Sequence, residues 1–569
     1  MFLSKYFNEF KVDNPLPEYP RPQLIRDSYI NLNGNWEFTI TINENLPDSY
    51  DRQIVVPYCV ESCLSGICQN LKENEYIYYR KVLTFPKGFI KDKVLIHFDA
   101  IDQFSCIYVN KQLVAQSING YLPIVVDIKP FLKDKENEII VQVTDKLDHN
   151  YPYGKQRKDR GGMWYTPVSG IWQSVWVESV SDDYVSMLTI TPNVDENKVS
   201  IIVNAISDVY SIKVLDNDEV IYKDKSSNGI FEITLDNPKL WSPENPFLYD
   251  VIIKTKHDEI KSYFAMRKFS FDNDKFLLNN KPYFIHGLLD QGYFCDGIYT
   301  PASYNAFKDD IMTMKELGFN TLRKHIKIEP MIFYHYCDKY GMIVFQDMVN
   351  NGKYNFTIDT AFPTIFRKNN TFINSFKKVN QLQKDIFSKS LIDTLNYLYN
   401  VPSICYYTIF NEGWGQHDAD DYYDLLKSID STRVVDSTSG WFKETKSDVE
   451  SLHVYFRKIK FKHTDKPVIV SEFGGYAYKV FDHVFNDKKD YGYKKLKDYD
   501  EFNKEIYKLY DRDIINNIKN KLAGCIYTQV SDVEDEINGL LTYDRKVLKV
   551  DKETMLKIKG KIDKEFYNE

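Results

Sequence analysis

Two glutamates end apolar, strand-like runs: Ile404 to Asn411 leads into Glu412, and Pro467 to Ser471 leads into Glu472. A carboxylate placed where a buried strand meets a loop is costly to desolvate unless a partner or a substrate uses it. Either glutamate alone reads as a surface or salt-bridged residue, but two at two strand ends point to a two-carboxylate site. Cleavage of a glycosidic bond needs that equipment. One carboxylic acid protonates the leaving oxygen, and one carboxylate attacks, or activates water, from the opposite face.

The elements that must position them follow a strand-then-helix rhythm after Arg267. Eight strand candidates are Tyr283 to His286, Thr321 to Arg323, Ile343 to Phe345, Ile404 to Phe410, Val434 to Asp436, Leu452 to Tyr455, Val468 to Ser471 and Ala523 to Thr528. Between them, Phe307, Ile311, Met314 and Leu317 recur at helical spacing, with Ser303 as an N-cap and Gly318 as a stop; Leu391, Leu395 and Leu398 repeat the pattern before Pro402. Eight strands with intervening helices over some 300 residues imply a (β/α)8 TIM barrel, whose site lies at the C-terminal strand ends. An open doubly wound sheet is the alternative, but no Gly-rich phosphate loop supports it. On this count Glu412 follows strand four and Glu472 follows strand seven, so both face one mouth.

A chain of 569 residues exceeds one hydrophobic core. Short strand-like runs separated by turn signals fill residues 30 to 180, which marks 1–181 as a jelly-roll β-sandwich. Alternating runs continue beyond Ser181-Asp182-Asp183, and 182–268 fits a second, immunoglobulin-like β-sandwich. The barrel takes 269–569. The Lys- and Tyr-rich stretch from Lys488 to Tyr499 reads as a surface loop.

The formal net charge of -8 is small for this length and argues against a nucleic-acid partner. No eighteen apolar residues run in succession and the N-terminus lacks a secretory core, so the expectation is a cytoplasmic protein with no membrane partner. Eight dispersed cysteines read as free thiols in a reducing compartment. The group Cys59, Cys63 and Cys68 lacks a second pair at zinc-site spacing, and neither a metal nor a cofactor is called for. The aromatic fraction of 15% suits stacking on sugars, though biased codon usage accounts for it as well. A homo-oligomer is compatible with all of this.

Three stretches resemble glycoside hydrolase family 2: Asn411-Glu412-Gly413-Trp414-Gly415, Ser471-Glu472-Phe473-Gly474-Gly475 and Gly318-Phe319-Asn320-Thr321-Leu322-Arg323-Lys324-His325. Gly161 to Trp172 is similar to the end of that family's N-terminal sandwich, and Asp532-Val533-Glu534 with Thr542 to Arg545 to its last barrel strand and loop. The resemblance implies a retaining exo-glycosidase with Glu412 as general acid/base and Glu472 as nucleophile. It implies that Asn411 hydrogen-bonds the sugar 2-hydroxyl and that Tyr455 orients the nucleophile; the ordinary roles of these residues are a turn and a buried phenol. Trp414 and Trp441 sit in candidate strand-end loops where they could stack on a sugar, against the ordinary packing role of Trp. Asp290, His325 and Arg323 complete the candidate binding set, Arg323 also favouring an ionised Glu472. Two departures from the family pattern stand out: Asp290-Gln291 where strand one usually leads to a His, and a single residue between Arg323 and His325. His286 lies within its strand and has the weakest case.

Within the resembled family, β-glucuronidases carry an Asn-x-Lys motif late in the barrel that holds the sugar carboxylate. The stretch from Asn538 to Lys552 lacks it, while Asn351-Gly352-Lys353 and Asn486-Asp487-Lys488 fit the letters elsewhere. This favours a neutral sugar, a β-galactoside first, with β-glucuronide, β-mannoside and arabinoside as alternatives. A carbohydrate-binding protein without catalysis is the reading from another class.

Overall fold

The computed structural model describes residues 2–361, 363, 379–462 and 464–567. The N-terminal region packs two antiparallel sheets face to face. One orders Arg52–Val56, Gly34–Thr41, Tyr76–Leu83, Asn137–Thr144, Phe104–Val109 and Gln112–Ser117; the other orders Tyr29–Asn31, Val175–Val180, Lys93–Phe98 and Ile124–Asp127. Inward positions alternate along the strands, as Ser105, Ile107 and Val109 do, and Trp36, Phe38, Ile54, Ile96, Ile107 and Val141 share one buried core. Seven strands between Met187 and Phe264 form the second sandwich, three in one sheet and four in the other, around Val199, Ile201, Val214, Phe231 and Val251.

The barrel strands are β1 (Ile285–Asp290), β2 (Thr321–Lys324), β3 (Ile343–Asp347), β4 (Ile404–Asn411), β5 (Val434–Ser439), β6 (Glu450–Val454), β7 (Val468–Gly474) and β8 (Leu522–Thr528). All pair in parallel in the order β5-β4-β3-β2-β1-β8-β7-β6. Every strand but β6 is buried along its whole length, as a parallel sheet covered on both faces must be. β5 and β6 are joined by side chains: Ser439 Oγ lies 3.1 Å from Ser451 Oγ and 3.0 Å from His453 Nε2.

Helices Asn305–Glu316, Met331–Tyr340, Gln381–Leu398, Ala419–Ile429, Tyr499–Leu509 and Lys552–Tyr567 cover the outside; among the described residues none lies between β5 and β6 or between β6 and β7. A small antiparallel sheet, Phe269–Asp272, Lys275–Leu278 and Lys281–Pro282, plugs the other end. There Trp241, Phe269 and Phe276 pack with Ile285, Ile343, Val434, Ile469 and Ala523, which all sit at strand beginnings. The barrel is therefore closed at its N-terminal end, and polar side chains gather at the other. No helix among the described residues is long and apolar enough to cross a membrane, and all eight cysteines are unpaired.

Candidate active site

Glu412 is the first residue after β4. Its φ of 53° lies in the left-handed region, which a non-glycine residue enters at a cost and which recurs at functional positions. Its amide donates to the Ser439 carbonyl at 2.9 Å, which fixes the turn against the end of β5.

Glu472 corrects the sequence expectation: it lies inside β7, which runs on to Gly474. The pairing of β7 with β8 slips between Val470 and Phe473, and that of β6 with β7 slips beside His453. A bulge of this kind re-aims a side chain without ending the strand. The Glu472 side chain is 6% exposed and that of Glu412 12%.

Between them stands His453 on β6, with a fully buried ring. Its Nδ1 lies 2.8 Å from Glu412 Oε1, and its Nε2 lies 3.0 Å from Ser439 Oγ, 3.4 Å from Arg323 Nη1 and 3.6 Å from Glu472 Oε1. A carboxylate only accepts, so Nδ1 carries the proton toward Glu412. Oε2 of Glu412 is thereby left for a substrate. One oxygen of Glu412, one nitrogen of His453 and one oxygen of Glu472 lie within 4.8 Å of one another, a spacing that a divalent metal could also use. Both His453 nitrogens already have hydrogen-bond partners.

Arg323, at the end of β2, ties the floor of the site together. Its Nε donates to Asp347 at 3.0 and 3.2 Å, Nη2 to Asn411 Oδ1 at 2.7 Å, and Nη1 to Glu472 Oε1 and the Ser471 carbonyl, both at 3.1 Å. It is fully buried, so it is a positioning residue and does not reach a sugar, contrary to its place in the expected binding set. Asn411 spends its oxygen on Arg323, which leaves its amide nitrogen to donate outward.

Tyr455 donates its hydroxyl to Glu472 Oε2, lies 3.2 Å from Thr528 Oγ1, and stacks on Tyr493 at 3.7 Å between ring centroids. Tyr493 belongs to the stretch read as a surface loop. Part of that stretch, Lys494–Leu496, instead pairs with Tyr476–Tyr478 and holds Tyr493 over the site. Burial alone raises the Glu472 carboxyl, but His453, Arg323, His325 and Tyr455 together outweigh it and bring it down to about 2.

The remaining candidates divide. His325 gives Nδ1 to Asp347 Oδ2 at 2.7 Å, and burial lowers its pKa against the opposing pull of Asp347. Trp441 is half-buried beside Glu412, with Nε1 donating to the Glu412 carbonyl at 3.1 Å and to the Asp359 carbonyl at 2.8 Å.

Asp290 is taken by structure: Lys324 Nζ holds it at 2.6 Å and the Gly292 amide donates to it at 3.0 Å. Lys324 also binds Glu329 at 2.9 Å, and Lys327 binds Glu329 at 2.9 Å, so Asp290 belongs to a buried ion network under the first two loops. His286 bonds the Gly318 carbonyl at 3.0 Å and Tyr510 at 3.3 Å, within the barrel wall.

Trp414 is a second correction. It is 3% exposed and packs edge-on against Trp164 at 5.1 Å and Tyr153 at 5.2 Å, with Nε1 donating to the Gly352 carbonyl at 2.7 Å. It glues the first sandwich to the barrel and offers no face to a sugar. Trp414→Ala is expected to cost about 3–5 kcal/mol of stability in chemical denaturation. A sugar platform would instead show unchanged stability and a raised KM.

The rim of the mouth comes partly from the first sandwich. Arg160 Nη1 reaches Glu534 at 3.3 Å and Asp535 at 3.6 Å, Thr166 donates its amide to Glu534 at 3.0 Å, and Tyr165 donates its hydroxyl to Glu536. Asn538 Nδ2 donates to Glu536 at 2.9 Å.

Comparison with known proteins agrees from residue 39 to residue 560. Residues 39–180 match the sugar binding domain of the glycosyl hydrolases family 2, residues 174–267 match a second model described simply as glycosyl hydrolases family 2, and residues 269–560 match the family's TIM barrel domain. A beta-galactosidase of Thermoanaerobacter pseudethanolicus is 26% identical over 306 residues, 49% of this chain and 40% of that protein. A beta-glucuronidase of Streptococcus agalactiae is 22% identical over 526 residues, 80% of this chain and 84% of that one. The beta-D-glucuronidase of Dictyoglomus thermophilum shares the fold at a TM-score of 0.76 and 18% identity, covering 96% of this chain and 98% of its own. The match thus spans about two fifths of the T. pseudethanolicus protein and nearly all of the D. thermophilum one. From its sugar-binding-like sandwich to its barrel, the chain belongs to glycosyl hydrolases family 2.

Proposed function

We propose that this chain is a retaining exo-β-glycosidase, acting first on a terminal β-galactoside. The observation that carries the reading is the closeness of the two carboxylates: an oxygen of Glu412 and an oxygen of Glu472 lie within 4.8 Å. Carboxyl groups about 5–5.5 Å apart suit direct attack on the anomeric carbon, whereas an inverting pair stands roughly 6.5–9.5 Å apart to admit a water.

In the first step Glu472, held ionised by Arg323 and Tyr455, attacks the anomeric carbon while Glu412 gives its proton to the departing oxygen. Glu412 is then a carboxylate that the His453 Nδ1 proton supports. It takes a proton from the incoming water, which opens the glycosyl ester and restores Glu472. The Asn411 amide donates to the sugar 2-hydroxyl. The rim contributed by the first sandwich and by Tyr493 makes a pocket suited to a chain end.

A neutral glycone is supported by what the late-barrel cations do. Lys549 is buried on Asp532 at 2.8 Å and on the Ile537 carbonyl at 2.9 Å, and Arg545 is turned to Asp310 at 3.3 Å, so neither is free for a sugar carboxylate. The presence of both carboxylates in one hydrogen-bonded cluster argues against a binding protein without catalysis. The test is hydrolysis of p-nitrophenyl β-D-galactoside, β-D-mannoside, α-L-arabinoside and β-D-glucuronide. The galactoside is expected to be fastest; the glucuronide alone, or no turnover at all, would sink the reading.

A further inference from the structure

One cation of the mouth has no hydrogen-bond or ion-pair partner for its ammonium among the described residues. Lys155 lies on the connection between Asn137–Thr144 and Gly170–Ile171 of the first sandwich. Gly154 before it has a φ of 59°, and a Cβ there would meet the hydroxyls of Tyr121 and Tyr299 at 2.6 and 3.0 Å and the Ile326 carbonyl at 3.1 Å. Only glycine lets the chain pass so close to the barrel, and the passage lays Lys155 beside the loop that follows His325. The Lys155 carbonyl accepts from the Tyr165 amide at 3.0 Å, and the Tyr165 hydroxyl donates to Glu536, so one residue anchors both Lys155 and Glu536.

Lys155 is 8% exposed, and its Nζ lies over the Trp164 ring at 5.3 Å. Among the described residues its ammonium makes no hydrogen bond and no ion pair. An ammonium withdrawn from water without an acceptor is costly, and a ligand that supplies one removes the cost.

Glu536 is the complementary group. It is 2% exposed, and each of its oxygens takes one donor, from Asn538 and from Tyr165, with a lone pair left on each. Burial raises its carboxyl, while Tyr165, Lys155 and Asn538 oppose that and Glu472 adds to it. Lys155 and Glu472 also both act on His325. Lys155, Glu536, His325 and Glu472 thus share one electrostatic neighbourhood.

Resting on the neutral-glycoside reading above, we propose that Lys155 is a sugar-binding residue, the donor half of a Lys155–Glu536 pair that grips hydroxyls of the sugar being cleaved. A hydroxyl accepts from the ammonium and donates to the carboxylate, so it satisfies both at once. A sugar carboxylate would place a further anion next to Glu536 and Glu472 around a single ammonium. The first sandwich thereby supplies a specificity-determining side chain as well as part of the rim.

The test compares wild type, Lys155→Met, Glu536→Gln and the double variant on the four aryl glycosides, with thermal melting as a fold control. Lys155→Met is expected to lower kcat/KM on the fastest neutral glycoside by roughly 10²-fold or more, since a buried acceptor set is then left unmatched. The double variant is expected to lose little beyond the worse single one, because the two residues hold the same hydroxyls. Unchanged kcat/KM in Lys155→Met, or a loss confined to the glucuronide, overturns the proposal. A wild type inert on the whole panel strikes the hydrolase reading instead. In that case calorimetric binding of isopropyl β-D-thiogalactoside, expected to weaken at least tenfold in Lys155→Met, decides the inference: equal binding by the two proteins overturns it.

Discussion

Glu472→Gln is expected to remove hydrolysis of every aryl glycoside, with kcat lowered on the order of 10⁵-fold, the scale on which loss of a covalent nucleophile is felt. The amide keeps the shape of the carboxyl but cannot form the glycosyl ester, and leaving-group quality does not help. The same variant carries a signature in stability. In the folded protein burial opposes ionisation of Glu472, and His453 and Arg323 overcome it, so the carboxyl titrates at about 2 and not at the ordinary 4.5. A depressed folded value stabilises the native state above the unfolded value, and that contribution is lost as pH falls toward the folded value. The melting-temperature gap between wild type and Glu472→Gln is therefore expected to be widest at neutral pH and to narrow from about pH 5 down toward pH 2. A gap that does not change with pH would show that His453 and Arg323 do not act on this carboxyl.

Glu412→Ala is expected to behave differently. Loss of a general acid/base lowers kcat by about 10²–10⁴-fold. The loss falls mainly on substrates with poor leaving groups, because a dinitrophenolate departs without a proton. With such an activated substrate the first step survives and the second, which needs a base, stalls. Azide, a small anion that attacks without deprotonation, is expected to restore turnover and to yield a β-glycosyl azide. His453 sharpens this expectation. Its Nδ1 sits 2.8 Å from Glu412 Oε1, so its proton supports the carboxylate of the second step and orients Oε2 for the first. Azide that leaves the Glu412→Ala rate unchanged, with equal losses on good and poor leaving groups, would remove Glu412 from the acid/base role.

Much of the site was legible because burial of a carboxylate is expensive enough to mark sequence. Glu412 and Glu472 stand out as charges closing apolar runs, and Asn411 and Arg323 lie in the same stretches. His453 was missed although the signal existed. In a strand the residues i, i+2 and i+4 share a face. Tyr455 as an inward residue implies the same of His453 and Ser451, and all three do point into the barrel's hydrogen-bond network.

Other features had no local signal. Trp414 reads as a loop aromatic until Tyr153 and Trp164, some 250 residues earlier, are brought onto it by the docking of sandwich and barrel. Lys155 is likewise an ordinary lysine in sequence, and only that docking withdraws it from water. Asp290 failed as a sugar ligand because Lys324, whose interior position no pattern announces, captures it. The extent of β7 was misjudged because polar Ser471 and Glu472 resemble a strand end, whereas a bulge carries the pairing on to Gly474.

During turnover Glu472 is expected to become covalently bonded to the sugar. This bond is tested most directly by incubating wild type with the 2-deoxy-2-fluoro, dinitrophenyl form of the glycoside it hydrolyses fastest, followed by mass mapping of the peptides. The fluorine slows both steps and the leaving group restores the first, so the ester accumulates. One sugar per chain is expected, on the peptide that contains Glu472 and on that residue. A sugar attached to Glu412, or unlabelled protein that releases product of inverted anomeric configuration, would contradict it.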